Sequence, residues 1–209
     1  MKNKVISLTM EPLDRDGLCE AQSKGAGGGA LTLNGALVTS SVGIMDVPRH
    51  VSIYAAGDNS GRTFAVVGTD RDGAALTETI TGPNATTVKG DKNFKTITSV
   101  TISGASTGDV EVGSADELES QLIPLSGKFS YAVTLSAAAS LTHRFMYTLT
   151  DPFTAGFKED DAVYFEDAGV DTTNFSGYSS GEVRACRLEI TNFASGTATL
   201  NIITDVVRN

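Results

Sequence analysis

The chain has 209 residues, of which 40% are hydrophobic, 22 are glycine and none is tryptophan; 25 acids against 16 bases give a net charge of −9. That hydrophobic content supports a packed core and excludes a disordered chain, while the acidic balance and scattered bases argue against nucleic acid as a partner. No apolar run approaches the roughly 20 residues a spanning helix needs, so no membrane association is expected, and the polar start MKNKVISLTMEP does not read as a signal peptide.

Residues 1–30 lack strand or helix rhythm and end in Lys24-Gly25-Ala26-Gly27-Gly28-Gly29. Such glycine density predicts a flexible N-terminal arm, either reaching a neighbouring subunit or fraying. A first pair of strands is expected within residues 30–38 and 43–47. From Val51 to Gly113, short Val-, Ile-, Thr- and Phe-rich runs alternate with turns: Gly57–Gly61, Asp70–Gly73, Gly82–Asn84 and Gly104–Gly108. That is the rhythm of a small all-β module.

Val51, Ile53 and Ala55 share one face, as do Phe64 and Val66. Glu78 falls on the apolar parity of Leu76 and Ile80, which predicts an edge strand or a partly covered face. The phase slips between Ile97 and Val100, so a bulge is expected near Thr98-Ser99.

Residues 114–121, SADELESQ, read as a linker with a turn of helix, because Ser114 followed by Glu117 has capping-box spacing. The β pattern then restarts. Tyr131, Val133 and Leu135 alternate, as do Leu141, His143, Phe145, Tyr147 and Leu149 beyond Ala137–Ala139, which predicts a hairpin. A second hairpin is expected where Cys186, Leu188 and Ile190 lead through Ala194-Ser195-Gly196 to Ala198, Leu200 and Ile202. No window keeps a helical apolar stripe. The expected architecture is all-β: an arm over 1–30, one β-sandwich module over 31–113, a linker over 114–121 and a second module over 122–209.

No constellation points to catalysis or a cofactor. His143 lies on an apolar parity and reads as a core residue, whereas His50 reads as exposed. No serine sits in a GxSxG elbow, and Gly25–Gly29 lacks the Lys-Ser/Thr of a phosphate loop. Cys19 and Cys186 form no metal spacing, and a disulfide or two free thiols both remain open. Asp70-Arg71-Asp72-Gly73 and Asp14-Arg15-Asp16-Gly17 resemble fragments of a calcium loop. An EF-hand would need an acid where Gly68 or Pro12 stands and a Glu where Thr79 or Ser23 stands, so both read as turns. The acids Glu159, Asp160, Asp161, Glu166 and Asp167 read as a solvated loop rather than a cation site.

The most informative stretch is 151–182. It departs from strand rhythm and carries eight acids against one base, Lys158, a net of −7. It also carries Phe153, Phe157, Tyr164, Phe165, Phe175 and Tyr178. Long loops are often functional and aromatic side chains supply contact area at interfaces, so these six form the candidate interaction surface. The competing reading, at even weight, is that several of the rings plug the end of the sandwich.

The run Ala56-Gly57-Asp58-Asn59-Ser60-Gly61-Arg62-Thr63-Phe64, with Val67–Asp70, Thr79–Asn84 and Phe94–Val100, resembles a module recurrent in tailed-bacteriophage virion proteins. Tyr147–Phe153 and Val183–Thr191 are similar to a segment often found beside it, although the Trp-Phe pair usual after its Asp-Pro-Phe is absent. The resemblance implies a non-enzymatic virion structural protein, made in the host cytoplasm, such as a capsid decoration, cement or head-fibre component. Its partners would be the major capsid protein or portal and tail components, and it would assemble as a symmetric homo-oligomer. A tail or neck accessory protein, or a carbohydrate-binding adhesion module using the 151–182 aromatics, are the alternatives.

Overall fold

Nineteen strands account for the computed structural model, which describes residues 2–125, 127–157, 159, 162–179 and 181–204. The chain is all-β and divides into two compact units, one formed by residues 12–118 and the other by residues 1–11 with 119–209.

In the unit of residues 12–118, one sheet runs in the order β4 (Val38–Thr39), β5 (Val42–Arg49), β10 (Phe94–Ile102), β7 (Thr63–Thr69), β8 (Ala75–Thr81), with β3 (Gly29–Ala30) also on β10. The other runs β2 (Cys19–Gln22), β11 (Val110–Ser114), β6 (Val51–Ala55), β9 (Thr87–Lys89). Period-two alternation turns Phe64, Val66, Ile97, Val100 and Ile102 of the first sheet and Val51, Ile53, Val110 and Val112 of the second into one buried cluster. Burying each such side chain contributes about 1.5–3 kcal/mol before conformational entropy is counted. β8 is an edge strand, as Glu78 predicted, and β10 shifts register against β7 between Ile97 and Ser99, at the expected bulge.

Turn letters of this unit hold loops together. Asn59 is buried and bridges two turns: its Oδ1 accepts from the Thr107 backbone at 2.9 Å and its Nδ2 donates to the Thr107 carbonyl at 3.1 Å. Asp70 Oδ1 accepts from the backbone N–H groups of Asp72 and Ala74, both at 2.9 Å, beside Gly73 at φ +83°. That is the Asx-type turn expected in place of a calcium loop.

The first thirty residues are not a free arm. β1 (Lys2–Leu8) pairs along its whole length with β19 (Ala198–Thr204), and β2 and β3 belong to the sheets just described. Of its glycines, Gly28 serves close approach: it sits at φ +67°, where a Cβ would lie 2.3 Å from the Ile102 carbonyl oxygen. Nor is 114–121 a helical linker. Ser114 ends β11, buried, and its hydroxyl accepts from the Asp14 backbone; β12 is Leu118–Glu119. Lys89 Nζ holds Asp116 at 2.5 Å and Glu117 at 2.7 Å, so these side chains are fixed by ion pairs and not by a cap. Residues 31–37, expected as strand, lie outside the strands.

In the other unit, one sheet runs β1, β19, β14 (Phe129–Leu135), β17 (Phe175–Ser179), and the second runs β12, β18 (Ala185–Ser195), β15 (Ser140–Thr148), β16 (Tyr164–Asp171), with β13 (Ile123–Pro124) also on β18. Neither expected hairpin forms. β14 and β15 lie in different sheets, as do β18 and β19; each turn is a corner at which the chain crosses between sheets. Alternation marks the inward face of β14, β18 and β19, and of β15 as far as Phe145, beyond which Met146 and Thr148 are buried and Leu149 is 56% exposed. But a strand inward on one sheet carries the same pattern as one inward on the sheet opposite.

The corners pack on each other. Ser136 N–H donates to the Thr197 carbonyl at 2.9 Å and Ser136 Oγ accepts from Thr197 N–H at 3.1 Å. A third crossing, between β16 and β17, is pinned at the same end: Asn174 Oδ1 accepts from Leu135 N–H at 2.8 Å, and His143 Nε2 donates to the Thr173 carbonyl at 2.9 Å. His143 is a buried core residue, 1% exposed.

Candidate functional site

The stretch 151–182 is not a structureless loop. It supplies β16, the last strand of one sheet, and β17, the last strand of the other. Both strands pair on one side only, with β15 and β14 respectively, so one of the two backbone edges of each sheet comes from this one acidic segment, the others being β12 and β1.

The six aromatics separate into two groups. Phe153 and Tyr178 are each 79% exposed, and Phe165 is 43% exposed. Phe175 is half-buried and leans on Tyr131 with centroids 5.8 Å apart. Tyr164 lies under the Arg187 guanidinium, 3.7 Å from its ring centroid, and burial pushes its phenol up to about 12. Phe157 is half-buried in a turn, its N–H donating to the Thr154 carbonyl. The interface reading and the plugging reading thus each apply to part of the set. Val163 and Val170, 63% and 57% exposed, add apolar surface along β16.

Three corners close one end of this sandwich; at the opposite end the sheets part around a cleft of about 520 Å³. The buried Phe129 and Phe145 form its floor, and Leu149, 56% exposed, also lines it. Tyr147 and Tyr178 form aromatic walls, and Phe165 stacks on Tyr147 with centroids 5.6 Å apart. Asp167 and Glu182 bring carboxylates to it. Asp167 Oδ2 accepts from the Tyr131 hydroxyl at 2.5 Å, which together with burial holds that phenol protonated. Glu182, nearly fully exposed, stands 3.6 Å from Arg184 Nη2. Tyr147 and Leu149 were legible only as members of an alternating strand run and Phe129 was not singled out, because nothing in such a run marks the place where two sheets separate.

The remaining sequence candidates fall elsewhere. His50 is buried rather than exposed, its Nδ1 3.4 Å from Glu117 Oε2. It is held between β6 and the start of β12, its N–H donating to the Glu117 carbonyl. Cys19 and Cys186 are free and buried, in different units. Of the acidic group, Asp160 and Asp161 lie outside the described residues, Glu166 is exposed on β16 and Asp167 faces Tyr131. Among the described residues no group of three or more His, Cys, Asp or Glu is placed to hold a metal, and no helix is long and apolar enough to cross a membrane.

Comparison with known proteins finds no matching family model, no matching curated protein and no matching solved structure.

Proposed function

We propose that the chain is a non-enzymatic structural protein of a tailed-bacteriophage virion, a decoration, cement or head-fibre component that binds neighbouring capsid subunits as a symmetric homo-oligomer. The observation that carries this reading is the pair of outer strands β16 and β17, drawn from one acidic segment that also exposes Phe165, Val170 and Tyr178. Unpaired strand edges are natural sites of pairing between chains, and exposed aromatics beside them supply the apolar centre that interfaces use. The resemblance of Val51–Gly113 to phage virion modules supports the virion setting. In that module the turn residues Asn59 and Asp70 are spent on loop geometry, which suits a rigid scaffold.

The test is direct. Mass spectrometry of purified virions should find this chain in stoichiometric amount, and particles assembled without it should lack a discrete density on the capsid surface. Virions free of the chain would end the reading, and density lost only at the neck or tail would move the protein there.

A further inference from the structure

We propose that the cleft at the open end of the second sandwich is a receptor for an arginine side chain carried on an extended segment of a partner protein. The argument rests on chemistry that the chain already performs twice on itself. Arg15 lies over the Tyr54 ring, 4.2 Å from its centroid, and pairs with Glu111, the residue opposite Tyr54 on β11. Arg187 lies over Tyr164 at 3.7 Å and pairs with Glu119 and Glu189 at 2.7 and 2.6 Å. In both places a guanidinium takes a tyrosine face and a carboxylate together, because the ring quadrupole and the anion attract the same cation.

The cleft repeats the receiving half of that arrangement. Tyr147, Tyr178, Asp167 and Glu182 all line it, and no lysine or arginine does among the described residues, although Arg184 Nη2 stands 3.6 Å from Glu182 and one oxygen of Asp167 already accepts from Tyr131. The apolar Phe129, Phe145 and Leu149 of the same lining match the methylene stem of an arginine, which packs on apolar surface while its head stays polar. The volume, about 520 Å³, exceeds that of one side chain and leaves room for flanking backbone. Tyr178 and Ser179 end β17, whose outer edge can pair an incoming strand. Charge selects the occupant: with a net of −7 over 151–182, a basic segment is drawn in and an acidic one repelled. The inference stands on the cleft and does not depend on the virion reading.

The test uses the full chain, isotope-labelled for NMR, with N-acetyl-arginine amide as probe and N-acetyl-citrulline amide as its uncharged isostere. Saturable shifts at millimolar arginine probe are expected at the amides of Tyr178, Ser179 and Gly181, weakening with added salt, and the citrulline probe should bind much more weakly. Tyr178→Ala and Glu182→Gln, both at exposed positions, should each weaken the probe by about two- to fivefold, while Phe153→Ala should leave it unchanged. Equal binding of the citrulline probe, absence of saturation, or saturable binding at these amides by a neutral hexose and not by the arginine probe would each overturn the proposal. Because this experiment involves no virion, its failure leaves the mass-spectrometric test of the structural role untouched.

Discussion

Tyr131 lies flat against Phe145, ring centroids 3.8 Å apart and planes 9° from parallel, and from that position its hydroxyl reaches Asp167. The two rings come from opposite sheets, β14 and β15, so this stack and hydrogen bond tie the layers together just inside the cleft. Tyr131→Phe keeps the stack and removes a bond to a charged acceptor, and about 1–3 kcal/mol of stability should be lost. Urea unfolding of the two proteins, with an unchanged m-value, checks it; a loss well below this range would mean that water replaces the phenol at Asp167.

Glu78 offers the clearest pH dependence. Burial on the apolar face of β8 raises its carboxyl above the usual carboxylate range, against the lowering effect of the Asp91 N–H donated to Oε1. A carboxyl whose folded pKa is raised binds its proton more tightly in the native state. Its stabilising contribution is therefore complete below the unfolded pKa and declines as pH rises through the folded one. Glu78→Gln should consequently be more stable than the parent at neutral pH and indistinguishable from it in acid. Thermal unfolding across pH 3–8 would show the curves converging downward; a constant offset would refute the assignment.

Gly196 sits at the corner between β18 and β19 with φ +99°, and a Cβ there would lie 2.5 Å from Ala139 Cα in the neighbouring corner. Neither backbone can yield without opening the Ser136–Thr197 bonds. Gly196→Ala should cost roughly 2–4 kcal/mol, whereas Gly181→Ala, with only Ser179 Oγ at 3.8 Å, should stay within about 0.5 kcal/mol. Calorimetry of the pair separates crowding from a general dislike of added side chains.

The thiols should be silent in the native protein. Cys19 is fully buried, which pushes its pKa up to about 12, and burial raises Cys186 as well. Thiolate is the reactive form, so a disulfide-exchange reagent at pH 8 should label both only as fast as the chain unfolds. Immediate labelling of either would show that its unit opens locally.

What could be read in advance was whatever depends on one strand and its own turn. The inward faces of β6 and β7, the edge position betrayed by Glu78 and the bulge after Ile97 all follow from local pattern. What could not be read were partnerships. Leu135 and Leu141 flank a turn that looks like a hairpin, yet they belong to opposite sheets, since period-two burial is satisfied equally well either way. β16 and β17 were obscured for a related reason: as one-sided outer strands they carry Glu166, Val170 and Tyr178 toward solvent, which erases the alternation. The aromatic and acidic content of 151–182 was visible, but the cleft was not, because its floor and one wall come from β14 and β15.

The pairing of β1 with β19 sets an order on synthesis. Lys2–Leu8 are made before Ala198–Thr204, with all of residues 12–118 between them, yet each is the other's neighbour in the sheet. The strands of residues 12–118 can close their own core while β1 still waits for β19, its Ile6 and Leu8, half-buried in the finished sheet, meanwhile unsheltered. A nascent chain of this kind is exposed to foreign strands for as long as β1 lacks its partner. Lys4 places charge on that waiting edge, the device by which exposed strands discourage the wrong partner.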